Sequence, residues 1–239
     1  KHSGGVEGKF WALAPADTRM PDHSIFEHLK VASACARSGY ADELLLSNSS
    51  LLLFSIRGVQ RFIAEARKVQ DLFWGSFLLS FLNWRVIERI SDVYGPDCVI
   101  FPDIHGQPFA DLWLEGKGIA VEDSASRDLM IPTIPNRTLA IIPERDEGIL
   151  RDLGAELDGQ VKSRFRSIGE VVLEEFGLEM PSGFTEQLDK SLDTYWVFLP
   201  WFNDGEGRKA WEAAIDRLRS YFAAERMEEI RHIMDFVSQ

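Results

Sequence analysis

The residues best placed to meet a phosphate group cluster around one stretch, LLLFSIRGVQRFIAEARKVQDLFWGSFLLSFLNW at residues 51–84. A helix that starts after a strand offers unpaired N–H groups to an anion, and Gly58 stands at such a strand-to-helix turn. A Walker phosphate loop, however, needs a GK[ST] ending and several glycines, and only Gly58 is present. On spacing alone the stretch is packing rather than a phosphate cradle. Two-metal phosphoryl chemistry on a palm-like sheet makes a further demand: carboxylates on the first strand and at the turn between the second and third strands. The first strand here ends Phe54-Ser55-Ile56-Arg57-Gly58 without an acid, and the one acid after the second strand, Asp103 beside Pro102, reads as a turn residue.

Other combinations offer less. His23 and His28 are five residues apart, so on a helix they do not share a face as an i, i+4 zinc pair does. With Asp22 they could supply one ligand to a site completed by another segment. No His-Asp dipeptide occurs among the 239 residues, so the chain cannot build a full HD-type metal site by itself. No Ser-His-Asp or Cys-His constellation emerges. Ser76 follows Trp74-Gly75, where small residues let a backbone or ligand approach closely. Cys35 and Cys98 form no CxxC pair, which argues against a zinc knuckle and a disulfide framework and for a cytosolic protein.

The formal charge of −12 argues against nucleic-acid binding over the whole surface, because phosphate contacts rely on clustered Lys and Arg. Local clusters remain at Arg57, Arg61, Arg67 and Lys68 and at Lys162, Arg164 and Arg166. No window approaches the roughly 20 apolar residues of a membrane span, and the length is ample for a core. The N-terminus, KHSGGVEGKFW, has no signal-peptide pattern and reads as a piece cut from a longer chain.

Elements must position these residues. Ser24 with Glu27 three residues later forms a capping-box pattern ahead of a helix from Ile25, whose apolar face of Ile25, Phe26, Leu29, Ala32 and Ala36 ends near Gly39. Ser47-Asn48-Ser49-Ser50 suits a linker. Leu51–Ile56 suits a buried strand. Apolar spacings of three and four from Val59 to Ile90 predict one long amphipathic helix stopped at Tyr94-Gly95-Pro96. Strands follow at 98–101 and 138–142, with at most a turn of helix at Ala110–Leu114. A helix over 144–176 is weakened by Gly154, Gly159 and Gly169, each about 1 kcal/mol worse than Ala. A short helix at 186–192, a strand at 194–199 and a charged helix at 207–236 complete the chain. The order βαββαβ predicts an α+β, ferredoxin-like fold: a four-stranded antiparallel sheet with helices on one face.

Several segments together resemble a known family. PADTRMPDHSIFEHLKVASACA at 15–36, the stretch at 51–84, VIFPDIHGQPFADLWL and IPNRTLAIIP are similar, in order, to the Cmr2-type large subunit of type III-B CRISPR effector complexes. SI-GVQ-FI-x3-RK-x2-DL-x-GS-x-LS is the most specific block. The resemblance implies that residues 1–46 close a permuted HD domain, that 51–202 form a first ferredoxin-like palm and that 203–239 are a connecting helix. It implies a parent subunit that makes cyclic oligoadenylates from ATP when target RNA is bound, with an HD nuclease in some members. ATP would bind between two palms, and the divalent metal, Mg or Mn, would be held by a GGDD motif of the second palm. That tetrapeptide does not occur in this chain.

By the same resemblance, Gly58, Gln60 and Phe62 at the strand-helix turn, Ser76 on the helix, and Asn136 with Arg137 before the third strand are the candidates for nucleotide binding, with no catalytic residue among them. His28 in SIFEHL would be a metal ligand if an upstream His-Asp pair completes the site. Expected partners are other Cmr subunits, guide RNA and target RNA, and ATP, with no membrane. The alternative is a structural module that docks a neighbouring subunit or the guide RNA through the 57–68 basic cluster and binds no nucleotide. An autonomous cyclase is disfavoured by the first strand's lack of a carboxylate.

Overall fold

The computed structural model describes residues 24–37, 48–58, 64, 66–121, 129–200 and 209. The elements run α1 (Ile25–Arg37), β1 (Ser50–Arg57), α2 (Val69–Tyr94), β2 (Val99–Phe101), α3 (Pro108–Gly116), β3 (Arg137–Ile142), α4 (Glu147–Glu175), α5 (Phe184–Ser191) and β4 (Asp193–Pro200). The charged helix expected at 207–236 lies outside the described residues except for Lys209, as does most of the 1–46 segment.

The four strands form one mixed-order antiparallel sheet, β2-β3-β1-β4. β1 sits between β3 and β4 and is antiparallel to both, and β2 is antiparallel to β3. β1 and β2 therefore run in the same direction with β3 between them. Strict alternation along β1 gives the sheet two distinct faces. Leu52, Phe54 and Ile56 are fully buried against Leu82, Val86, Ile87 and Ile90 of α2 and Leu157 and Val161 of α4. Leu51, Leu53, Ser55 and Arg57 point the other way and are half-buried. α1 covers part of that second face, packing Ala34 against Ile141 beside Leu51 and Ile100.

Three local expectations are corrected. The long helix does not run unbroken from Val59: Lys68 is extended, and regular helix begins at Val69. The cause is Asp71, whose carboxylate accepts from the N–H groups of Arg67 and Lys68 at 3.0 Å each and so satisfies donors that a helix start leaves open. The helix expected from Glu144 begins at Glu147, because Asp146 caps it by accepting from the N–H groups of Gly148 and Ile149. α3 is also longer than the single turn expected. Proline at its first position needs no N–H partner, and Phe109 inserts between Phe77, Phe81 and Trp84 of α2.

α1 starts where the sequence indicates, with Glu27 N–H donating to Ser24 Oγ at 3.2 Å. Its orientation differs from the expected one. Phe26 and Leu29 remain more than half exposed, whereas Lys30, Ser33 and Arg37 hold the helix to the body. Lys30 pairs with Asp103 at 3.1 Å, and Ser33 Oγ donates to Asp97 Oδ2 at 2.8 Å. Arg37 Nε lies 2.8 Å from Asp97 Oδ1. Acidic partners on the body, not apolar stripe width, select the docked face.

Candidate functional site

β1 ends at Arg57, and Gly58 adopts φ +82°, a left-handed backbone favoured by glycine. A Cβ there would stand 2.9 Å from the Ser191 carbonyl oxygen, so Gly58 also lets the strand pass close to the end of α5. Across the sheet Asn136 extends the β3 ladder by a clamp. Its Nδ2 donates to the Ile56 carbonyl at 2.9 Å, and the Ile56 N–H donates to the Asn136 carbonyl at 2.9 Å. Asn136 is thereby a strand-end fastener, and it holds the next residue, Arg137, opposite Ser55 in the register.

The register gathers a polar row on the second face of the sheet. Arg137 and Tyr195 both pair with Ser55, from β3 and β4 respectively. Paired residues in adjacent strands project to the same side. Arg57, two residues beyond Ser55, lies over the Tyr195 ring with its guanidinium carbon 4.3 Å from the ring centroid, a cation–π contact. Arg137 is exposed and makes no ion pair among the described residues. Beyond this row the same face is half-buried and apolar at Leu53, Leu139 and Val197, until α1 covers its far end.

The loop that delivers Asn136 is pinned from the helical side. Ile134 N–H donates to Ser80 Oγ at 2.9 Å, Asn83 Nδ2 donates to the Pro135 carbonyl at 2.6 Å, and Thr138 Oγ1 donates to Asn83 Oδ1 at 3.2 Å. Ser80 and Asn83 are buried, so these bonds act in a low-dielectric layer. Ser76 lies one turn nearer the start of α2, in that helical layer. The structure thus brings Gly58, Asn136 and Arg137 to one end of the sheet and leaves Ser76 on the opposite side of it. Gln60 and Phe62 lie outside the described residues. Sequence reading missed Ser55, Tyr195, Ser80 and Asn83. The period of two in the strands and the i, i+3 spacing of Ser80 and Asn83 are the signals that mark them.

His28 sits exposed on α1, and Asp22 and His23 lie outside the described residues. Among the described residues no three His, Cys, Asp or Glu side chains converge as a metal site. Asp103 is engaged elsewhere. Burial pushes its pKa up, but the Lys30 ammonium and the His105 N–H outweigh that and hold the carboxyl below its ordinary value. Burial raises the Cys98 thiol to about 12, which makes it an inert core group.

A groove of about 580 Å³ between α2 and α4 touches none of the candidate residues. Its charges neutralise one another. Arg89 donates to both carboxylate oxygens of Glu156 at 2.6 and 3.1 Å, which raises the guanidinium pKa. Asp92 is held below its ordinary range first by the Lys117 hydrogen bond, then, against burial, by Trp113.

Comparison with known proteins places this architecture. The family described as CRISPR-associated protein Cmr2, N-terminal, matches residues 51–170, from the start of β1 into the C-terminal half of α4. The chain belongs to the Cmr2 family. The CRISPR system Cmr subunit Cmr2 of Pyrococcus furiosus is 35% identical over 152 residues, covering 64% of this chain and 15% of that protein. The Cmr2 subunit of Saccharolobus solfataricus is 36% identical over 100 residues, covering 42% of this chain and 10% of its own length. The chain thus spans about a sixth or less of these curated relatives. A chain of a type III-B Cmr-beta assembly, solved by cryo-EM in the apo state, superposes with a TM-score of 0.60 at 23% identity. That match covers 89% of this chain and 26% of the other, and it supports the mixed α+β fold with its four-stranded sheet. Among the described residues no helix is long and apolar enough to cross a membrane.

Proposed function

We propose that this Cmr2-family chain is the first, non-catalytic palm of the large subunit of a type III-B CRISPR effector complex. It helps bind ATP for cyclic oligoadenylate synthesis by a second palm. The sheet is read as ferredoxin-like, an assignment supported by the β2-β3-β1-β4 order with antiparallel neighbours, and α1 is read as the last helix of a permuted HD domain. The observation that carries the functional reading is the row Arg137–Ser55–Tyr195 with Arg57 stacked on the tyrosine. It sets two guanidinium groups and an aromatic ring on a sheet face that α1 leaves uncovered at that end.

In this reading each residue does ordinary binding chemistry. The Arg137 guanidinium donates to phosphate oxygens, where its planar fork gives charge-assisted bonds. The Arg57–Tyr195 pair offers a flat surface for a base or ribose. Asn136 and Gly58 position these groups without touching the nucleotide. A divalent cation, magnesium or manganese, neutralises triphosphate charge when bound, and its ligands would come from the second palm. β1, Ser50–Arg57, contains no carboxylate to hold it. The work of this palm is orientation, which by itself contributes to rate when reacting groups must align.

Nucleotide titration of the full-length subunit in its assembled complex tests the proposal. Arg137→Ala raises the Kd for ATP about tenfold, near 1.4 kcal/mol, and Tyr195→Ala has a similar effect. Saturable ATP binding that is indifferent to both substitutions sinks the assignment.

A second reading is favoured by one observation. The side chains of Arg67 and Lys68 are exposed while Asp71 locks their backbone, so a fixed basic corner is available to guide RNA or to a neighbouring subunit. Loss of RNA association on Lys68→Ala, with ATP binding intact, selects docking over the nucleotide site.

A further inference from the structure

The last turn of α4 and the turn after it keep large apolar side chains in water. Val171, Val172, Phe176, Leu178 and Met180 are 59, 48, 73, 60 and 53% exposed. This is not a fraying end. Gly177 N–H donates to the Glu174 carbonyl at 3.0 Å and Leu178 N–H to the Leu173 carbonyl at 2.9 Å, with Gly177 at φ +60°. These two bonds and the left-handed glycine form a Schellman cap. The cap fixes the backbone, and α5 braces the preceding turn: a Cβ on Gly169 would stand 2.9 Å from Leu188 Cδ1, and Arg166 pairs with Asp189 at 2.5 Å. Apolar groups held on an ordered backbone lose less entropy when a partner covers them.

Charge decides what kind of partner that is. Between Arg166 and Lys190 the sequence has no Lys or Arg, while Glu170, Glu174, Glu175 and Glu179, all exposed, are interleaved with the apolar residues. Glu174, Glu175 and Glu179 enter no ion pair among the described residues. Such a surface repels phosphate backbones and anionic lipid, both of which need clustered cations. An apolar centre with a single-sign rim matches a protein whose own apolar patch is rimmed by the opposite sign.

We propose that the capped end of α4 is a docking surface for another protein subunit, which presents an apolar patch ringed by Lys and Arg. The inference rests on the reading that this chain works within an assembly, and it is independent of ATP binding.

The test uses the full-length subunit in a reconstituted type III-B complex, with a photo-crosslinking Phe176→p-benzoylphenylalanine substitution. The expected adduct joins position 176 to a peptide of another protein subunit, with Lys or Arg beside apolar residues. An adduct to RNA, an adduct within the same chain, or no adduct overturns the proposal. In parallel, the double variant Phe176→Ser with Leu178→Ser incorporates at least tenfold more weakly while keeping its melting temperature, because both side chains are exposed. Undiminished incorporation of that variant removes this surface alone. Failure of the unaltered subunit to incorporate removes the assembly reading, and this proposal with it.

Discussion

Asn136 and Ile56 exchange two hydrogen bonds across the end of the sheet, from side-chain amide to Ile56 carbonyl and from Ile56 N–H to Asn136 carbonyl, both at 2.9 Å. The clamp lies where β3 has not yet begun its ladder, so it sets how Arg137 enters the strand. Asn136→Ala removes the side-chain half and leaves the Ile56 carbonyl short of a donor, at a cost of about 1 kcal/mol. The expected result is a melting temperature lower by roughly 2–4 °C without any nucleotide present. An unchanged melting temperature, with ATP binding alone impaired, returns Asn136 to the role of a direct ligand.

Two glycines on α4 predict opposite signs for the same substitution. A Cβ at Gly154 would lie 2.5 Å from the Trp196 ring, whereas nothing stands within 4 Å of one at Gly159. Gly159→Ala gains helix propensity, roughly 0.5–1 kcal/mol. Gly154→Ala gains the same propensity but must displace a packed indole, and overpacking of that kind costs about 1–3 kcal/mol. Denaturant unfolding of the pair should move the midpoints in opposite directions.

That contrast shows what the sequence made legible. Strand and helix order followed from periodicity, because each element buries one face. Chain-local signals also sufficed at Ser24 and Gly95, where a cap and a stop act on their own neighbours. Propensity alone counted the glycines of α4 against a helix, and the packing that Gly154 and Gly169 permit was hidden because their neighbours, Trp196 and the α5 residues Phe184 and Leu188, are distant in sequence. The break before Val69 needed Asp71 to be recognised as a cap, against a stronger apolar rhythm running through it. At the candidate site, Gly58, Asn136 and Arg137 were found from the resemblance. Tyr195 and Ser55 became visible only once the β1–β4 register was known, since nothing local ties residue 195 to residue 57.

The attachment of α1 should depend on acid. Asp103 has its pKa lowered from 3.8 in the folded chain, so its contribution to stability is present above that value and is lost as pH falls through the lower folded value. The Asp103 side chain is about half exposed, so the pair is screened and modest in strength. Hydrogen exchange is expected to show α1 amides loosening ahead of the α2 core as pH falls below 3.8, with Asp103→Asn loosening them already at pH 7. Equal α1 protection in Asp103→Asn and the unaltered chain at pH 7 refutes the role of the Lys30 pair.

Asn83 should matter more than any candidate ligand to the integrity of the site. It is fully buried, and it bonds both the Pro135 carbonyl and Thr138 Oγ1. Asn83→Ala strands two polar groups in the layer between α2 and the sheet, and each stranded group costs about 1–3 kcal/mol. Ser76, only half-buried and one turn beyond Ser80, faces no such demand. Ser76→Ala is therefore expected to stay within about 0.5 kcal/mol of the unaltered chain, whereas Asn83→Ala loses 2 kcal/mol or more by the same estimate. The loss should be accompanied by faster exchange at Ile134, whose N–H is bonded to neighbouring Ser80. If Ser76→Ala proves the more damaging of the two in the absence of nucleotide, the pinning of the 133–138 segment by α2 is not what holds Asn136 and Arg137 in place.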